Sequence, residues 1–413
     1  MKLKHVLIVP SLLAGLGGVA SANAFLLNEF DARAIGRGDA VVASDTEPSA
    51  IYYNIGGMAA AEGTRVMITG AVITPNASYT DTSGVKTDSN TPTQYLPGVF
   101  VTSRVHEMVS VGIGFYTPFG LAVSWPDSSP QNNVIKQETL HTFFITPSVG
   151  VNLNSVVPGL TAGAGIDIVP ATVDLLQDVY FGTDRGEGHL AGKGTGVGGR
   201  IGVMYRPQML QALSLGLTWR SDVKVDFSGN GNFNAPAPYR SSLPPDGPVT
   251  TSITLPQTIS GGASYHATDE LEVEANVVWT NWSKFKQLNI DVPAPTTGTM
   301  TISQNEAYTD KVTFRLGVEY RLPSLGAAVR AGYIYDPTPV PTSTISAQLP
   351  DINRHDLTAG ASYNLGNFDL HAGLLFVLPG KSTADSTLYM PQYKGTYDVS
   401  AFVGSLSLSG KLF

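Results

Sequence analysis

The chain has 413 residues, 33 acidic against 25 basic, a formal net charge of −8 and no cysteine. Disulfides and thiolate metal centres are therefore excluded, and an acidic chain without a clustered Lys/Arg stripe is a poor nucleic-acid binder. Only 14% of residues are charged while glycine reaches 44, low charge for a soluble enzyme; the length suits two soluble domains or one closed barrel.

The first predicted element is a signal peptide over residues 1–24. "MKLKH" supplies two lysines, "VLIVPSLLAGLGGVA" a short apolar run, and "SANA" a small-x-small cleavage site ending at Ala24. The mature chain then begins at Phe25. The apolar run is too short, and too rich in glycine, for a membrane-spanning anchor. No later stretch reaches the roughly eighteen apolar residues that a spanning helix needs.

Residues 25–64 do not alternate. "AFLLNEF" is apolar, "GRGDA" is flexible, "DTEPSA" can cap a short helix, and "YYNIGGM" closes the segment with glycines expected to supply positive φ. An exposed periplasmic tail would rarely hold so much Phe, Leu, Tyr and Ile.

From Arg65 to the C-terminus the pattern has period two. In "ALSLGLTWR" Leu213, Leu215, Leu217 and Trp219 share one face; in "LEVEANVVW" Leu271, Val273, Ala275, Val277 and Trp279 oppose Glu272, Glu274 and Asn276. "VTFRLGVEYR" repeats the pattern, with Val312, Phe314, Leu316, Val318 and Tyr320 outward. Further runs start near Arg65, Gln94, Met108, Thr139, Leu160, Gly194, Thr251, Ala327, Asp356, Asn367 and Tyr397, about fourteen in all, an even number as bacterial barrels require. Short connections such as "HE", "ATDE", "LPSLG" and "LGN" alternate with long ones, among them Thr117 to Lys136, Gln177 to Ala191, Lys286 to Met300 and Pro379 to Lys394. Outer-membrane barrels show that asymmetry, with short periplasmic turns and long outer loops. Tyr205, Trp219, Tyr265, Trp279, Trp282, Tyr320, Tyr333, Tyr335 and Tyr363 sit near the ends of the runs, as interfacial girdles do.

These features predict an all-β fold: a transmembrane outer-membrane β-barrel of about 14 antiparallel strands over residues 65–413. Phe413 is a usual terminal residue for such barrels, but it is out of phase with Leu406 and Leu408, so a bulge near Gly410 is expected. A barrel this wide is not filled by its own side chains. The 25–64 segment is accordingly assigned as an N-terminal hatch inside the lumen.

Two outer segments are unexpectedly apolar. "TPFGLAVSWPD" carries Phe119, Leu121, Val123 and Trp125, and the segment after "IVPATVDLL" adds Leu175, Leu176, Val179, Tyr180 and Phe181. Exposed clusters of this kind mark ligand binding or membrane contact, unless loop packs against loop.

At this point the chain resembles the FadL-type family of outer-membrane transporters for long-chain fatty acids and other hydrophobic compounds. "FLLNEFDARAIGRGDAVVA" looks like that family's mature N-terminus. "YTPFGLAVSW", "TWRSDVKVDFSG", "LPQTISGGASYHATDELEVEANVVWTNWSKF" and "VRAGYIYDPTPVP…LPDINRHDLTAGASYNLG" follow in the family's order, so the likeness spans nearly the whole mature chain. "YYNIGGM" stands where the family has Asn-Pro-Ala-Gly-Met; Asn54, Gly57 and Met58 match, while Ile55 and Gly56 replace Pro and Ala. The resemblance implies a ligand path from an outer groove to a pocket at the hatch N-terminus, then sideways through the wall. It places Phe25 and Leu27, with Phe30, as ligand contacts, Asn28 and Glu29 as anchors, and Asn54, Ile55, Gly56 and Gly57 in the hatch turn. Pro97, Gly98, Pro118 and Gly120 become the weak points of the wall.

No enzyme constellation stands out. The histidines are scattered, with His141 and His189 the only candidates for a lipid-directed site, and the glycine spacing in "GHLAGKGTG" is wrong for a phosphate loop. Neither a metal nor a cofactor is implied. The expected partners are a hydrophobic small molecule (fatty acid, alkane or monoaromatic), outer-membrane lipid and lipopolysaccharide, and the outer-membrane assembly machinery, with a monomeric barrel in a Gram-negative outer membrane. An aromatic-hydrocarbon channel of the same family and an open diffusion porin are the alternatives. Arg104, Lys136 and Arg185 are the basic residues a carboxylate could meet.

Overall fold

The computed structural model describes residues 24–294, 298–384 and 393–412. Residues 1–23, which hold nearly all of the expected signal peptide, and Phe413 lie outside the described residues.

Fourteen antiparallel strands close into one barrel. In chain order they are β1 (Thr64–Asp81), β2 (Gln94–His106), β3 (Val109–Tyr116), β4 (Phe144–Asn152), β5 (Leu160–Phe181), β6 (Asp184–Tyr205) and β7 (Leu213–Arg220). There follow β8 (Thr258–His266), β9 (Leu271–Thr280), β10 (Lys311–Leu322), β11 (Ala327–Asp336), β12 (Arg354–Asn364), β13 (Phe368–Ala384) and β14 (Gly395–Lys411). The last strand pairs with the first from Arg65↔Lys411 to Asp81↔Gly395, which leaves no open edge there. Closure is what permits such strands in hydrocarbon, where each unpaired backbone group costs several kcal/mol.

The alternation behaves as the sequence suggests. On β10, Phe314, Leu316 and Tyr320 are exposed on the outer face, whereas Thr313, Arg315 and Glu319 are buried inside. The expected bulge near Gly410 is absent: the β14–β1 register runs unbroken to Lys411, and β14 shifts against β13 only between Val377 and Gly380. Leu406, Leu408 and Leu412 are all exposed and in one phase, so the strand needs no extra residue.

One long connection expected from the sequence is not a loop. Residues 177–191 belong to a hairpin in which β5 and β6 pair continuously from Leu160↔Tyr205 to Phe181↔Asp184, turning at Gly182 with φ +66°. Beyond the bilayer no lipid face has to be apolar, so Asp178, Arg185 and Glu187 interrupt the alternation without ending the strand. For the same reason the outer connections hold further ribbons, Gly120–Ser124 with Gln137–Thr142, Val223–Asn234 with Gly247–Leu255, and Gln287–Pro293 with Thr299–Asn305.

The apolar core lies in the lumen, where residues 24–59 are almost wholly buried. Asp31 caps α1 (Ala32–Gly36) by accepting the Arg33 N–H at 2.9 Å. This helix rests on β12 and β13, where Gly36 meets Gly360 so closely that a Cβ on Gly36 would stand 2.7 Å from the Gly360 Cα. A second short helix, α2 (Ala50–Tyr53), leads into a 3-10 turn, Ile55–Ala59, against β4, β5 and β6. The glycines of that turn serve a different end from the one expected. Neither Gly56 nor Gly57 has positive φ; a Cβ on Gly57 would lie 1.9 Å from the Asp45 carbonyl oxygen. Close approach, rather than a left-handed backbone, is what requires glycine there.

Candidate functional site

The wall strand β3 stops at Tyr116, and the next residues turn into the lumen. Leu26 and Phe119 form an antiparallel bridge. The Leu27 N–H donates to the Pro118 carbonyl at 2.8 Å, and the Gly120 N–H donates to the Phe25 carbonyl at 2.9 Å. The N-terminal residues thus add a short strand to the segment that has left the wall.

This departure thins the wall. On one side β2 pairs with β1 from Gln94 to Ser103; on the other it pairs with β3 only from Val99 to His106. Residues 94–98 therefore have no strand partner on the β3 side among the described residues. Pro97 carries no N–H, and Pro118 cannot donate to a ladder, so both suit an interrupted edge. Leu96, Phe100 and Tyr116 are buried behind it, with the Phe100 and Tyr116 rings stacked at 5.4 Å.

Phe25 lines a small, mostly apolar cavity in the lumen. Its ring meets Trp282 edge-on at 4.8 Å, Phe285 at 5.4 Å and Phe119 at 6.2 Å. Leu121, Leu140, Val173, Ile253, Leu288, Val340 and Leu349 complete the apolar lining. The polar lining is Glu138, Glu306, Tyr308, Thr344, Ser346 and Gln348. Both glutamates belong to outer segments, and burial pushes Glu138 up to about 8 and Glu306 to about 7. Outside, an open, largely polar cleft shares Phe285 with this cavity, where Gly247–Leu255 and Gln287–Pro293 pair at only two positions. Beneath, a second small hollow is lined by Leu26, Asn28, Tyr52 and Tyr53 together with Arg200, Arg220 and Arg315.

The expected site residues divide into groups. Phe25 and Leu121 line the main cavity, and Phe119 packs directly beneath it. Leu27 is fully buried, while Phe30 lies lower, against Tyr52 at 4.6 Å and Tyr116 at 5.6 Å. Val123 and Trp125 are buried in loop-on-loop packing, the Trp125 indole donating to the Ala347 carbonyl at 2.9 Å. Leu176 pairs within the hairpin opposite His189, Tyr180 is exposed, and Phe181 stacks on Tyr239 at 4.7 Å. The structure therefore separates Leu176, Tyr180 and Phe181 from the cavity.

The basic candidates are also elsewhere. Arg104 approaches Glu62 at 3.8 Å, Lys136 holds Asp127 at 2.7 Å, and Arg185 holds Asp178 at 2.7 Å. His189 pairs with Asp174 at 2.9 Å in an exposed ribbon. Among the described residues no cluster of His, Asp and Glu is disposed to hold a metal.

The tyrosines of "YYNIGGM" tie the segment together. Tyr52 donates to Asn28 Oδ1 at 2.9 Å and Tyr53 to the Asn28 carbonyl at 2.8 Å, while Glu29 accepts the Asn28 N–H at 2.8 Å. Asn54 accepts the Gly56 N–H at 3.1 Å and donates to the carbonyls of Val42 at 2.7 Å and Val203 at 3.0 Å, bridging the turn to the wall. The Ile55 backbone lies against Gly163, whose added Cβ would stand 2.4 Å from the Ile55 oxygen. Two polar clamps escape the sequence reading. Arg200, held by Asp167, donates to the Ile51 carbonyl at 2.9 Å. Arg37 lies fully buried between Glu272 at 3.2 Å, Glu274 at 3.7 Å and Glu319 at 3.8 Å. Carboxylates at inward positions of "LEVEAN" are the available signal, since a buried charge demands a partner.

A profile described as "Outer membrane protein transport protein (OMPP1/FadL/TodX)" matches residues 13–411. The chain belongs to this family. It is an outer-membrane protein by family and by fold. It is 25% identical over 376 residues to the "Long-chain fatty acid transport protein" of Salmonella typhi, covering 82% of this chain and 83% of that one. Among solved structures, a Pseudomonas aeruginosa FadL homologue superposes with a TM-score of 0.82 at 17% identity, covering 94% of this chain and all (100%) of the other. The Pseudomonas putida toluene transporter TodX gives 0.76 at 15% identity, covering 95% and 100%. Both structural likenesses concern the fold.

Proposed function

We propose that this family member carries hydrophobic compounds, long-chain fatty acids or related hydrocarbons, across the outer membrane, with residues 25–64 acting as a hatch. The observation that carries the reading is the pairing of Phe25–Leu27 with Pro118–Gly120, directly beneath an apolar cavity and beside the unpaired edge of β2. An apolar solute gains roughly 25 cal/mol for each Å2 it buries, so the apolar cavity concentrates it from water. When the hatch N-terminus shifts, the solute passes Phe100 and Tyr116 and leaves through the wall at residues 94–98 into the bilayer. A lateral exit spares it the aqueous route that a filled lumen blocks.

The substrates named for the fatty-acid and toluene relatives support this class and leave both subclasses in play. Cleavage after Ala24, a monomeric barrel, and contact with lipopolysaccharide and the assembly machinery complete the proposal. Uptake by cells expressing the barrel tests it, with labelled oleate, toluene and arabinose compared against cells lacking the barrel. Selective gain of an apolar solute is the expected result. A comparable gain of arabinose would mean an open pore.

A further inference from the structure

The main cavity has an acidic polar lining. Its charged residues among the described lining are Glu138 and Glu306, and no Lys or Arg lines it. Arg200, Arg220 and Arg315 line the hollow below instead. Glu138 comes from Gln137–Thr142 and shares its face with Leu140, so the strand period aims it into the same space. Glu306 lies just after Thr299–Asn305 and is 8% exposed. Glu138 Oε2 is buried without a hydrogen-bond partner among the described residues. A buried oxygen without a partner is costly, so it marks a place where a ligand donor improves the site.

We propose that Glu138 and Glu306 select the solute's head group, so that the cavity takes hydrophobic compounds bearing a hydroxyl, such as long-chain alcohols or phenols, and rejects ionised carboxylates. A hydroxyl donates to Glu138 Oε2 and accepts from a protonated carboxyl, satisfying both sides. A carboxylate has no proton to donate, and its charge finds no Lys or Arg counter-ion in the apolar enclosure. Burial pushes both carboxyls up towards neutrality, to about 8 and about 7, which keeps protons available for such bonds. An ionised carboxylate buried in this enclosure without a Lys or Arg partner is disfavoured, a discrimination of roughly tenfold or more.

This inference rests on the transport reading above, and one experiment separates the two. Cells expressing the full barrel are given labelled 1-dodecanol or dodecanoate at pH 7.5, with barrel-free cells as the baseline. The expected initial rate for 1-dodecanol exceeds that for dodecanoate by roughly tenfold or more. The double variant Glu138→Gln with Glu306→Gln keeps the shape and removes the acids, and is expected to close most of that gap. Glu138→Lys is expected to favour dodecanoate. Surface abundance and heat-modifiable migration confirm that each variant is folded. Equal rates for the two solutes in the wild-type barrel would overturn the selectivity, leave transport standing, and point to the arginine-lined hollow as the head-group site. A preference unchanged in the double variant would equally overturn the role of the glutamates. No uptake of either solute above baseline would instead refute the transport reading on which the inference depends.

Discussion

Replacing Phe25 by alanine tests how the N-terminal segment is held in the lumen. The Phe25 side chain is 3% exposed and its ring touches Phe119, Trp282 and Phe285. Truncating so buried a phenylalanine costs about 3–5 kcal/mol, including about 0.5–1.5 kcal/mol for each aromatic pair it breaks. The two backbone bonds that fix the strand, Leu27 N–H to Pro118 and Gly120 N–H to Phe25, are each worth only about 0.5–1.5 kcal/mol net. Packing, not the ladder, therefore keeps the strand in place. A loss of about 3 kcal/mol raises the local opening constant roughly a hundredfold. Amide hydrogen exchange at Leu27 and Gly120 reads this directly, because their protection reports local opening and not unfolding of the barrel. The expected result is a fall of about two decades at those amides, with the β14–β1 ladder unchanged and uptake reduced. Unaltered protection at Leu27 would refute the packing argument. General deprotection of the wall would show that the segment is not a separable unit.

Three further outcomes follow from particular contacts. Gly57→Ala places a methyl 1.9 Å from the Asp45 oxygen, so the turn cannot seat and the barrel should conduct ions steadily in a planar bilayer; Gly261→Ala, with open space around it, should stay closed. Arg37→Met leaves Glu272, Glu274 and Glu319 short of a buried partner, a cost on the order of 3 kcal/mol. Less urea should then expose Arg33 to trypsin, and an unchanged midpoint would contradict the clamp. The third concerns pH. Glu138 and Glu306 line one cavity with Tyr308, Thr344 and Gln348, and their folded-state pKa values are raised to about 8 and about 7. Acids raised in this way add stability that is complete below the ordinary carboxylate pKa of about 4.3 and lost as pH climbs to 7–8. Exchange at the Thr344 amide, bonded to Pro341, should therefore accelerate between pH 5 and pH 9 beyond its intrinsic rate. Exchange that follows the intrinsic rate alone would contradict this.

The barrel is legible because lipid imposes one rule on every wall strand. "VTFRLGVEYR" shows its outward face in its own letters, and β10 uses it as written. Where lipid ends, the rule ends. The Asp178–Glu187 region carries charges and glycines that suit a solvent-exposed ribbon as well as a loop, so pattern alone favours the loop that the β5–β6 hairpin overrules. The terminal strand misleads for a related reason, since the phase of Phe413 suggests an extra residue that the β14–β1 register does not contain.

The site is legible where residues act locally. The apolar N-terminal motif accounts for the burial of Phe25 and Leu27, and Pro118 is the kind of residue that interrupts a ladder where the chain leaves the wall. The arginine clamps and the glutamate pair are hidden because each joins elements far apart in sequence. Glu138 and Glu306 come from different outer ribbons, and nothing local records that they meet. Arg37 belongs to the N-terminal segment and Glu272 to β9, and their contact exists only once that segment is inside the lumen.

The route itself can be tested by photolabelling. A fatty alcohol carrying a diazirine at its tail is added to outer membranes containing the barrel, irradiated, and the labelled peptides are sequenced, with and without excess unlabelled alcohol. Displaceable label is expected first on Phe25, Leu121 and Leu140, and then on Leu96, Phe100 and Tyr116 behind the unpaired edge of β2. Label confined to lipid-facing residues such as Phe314 and Leu316, undiminished by competitor, would contradict a path through the cavity and out of the wall.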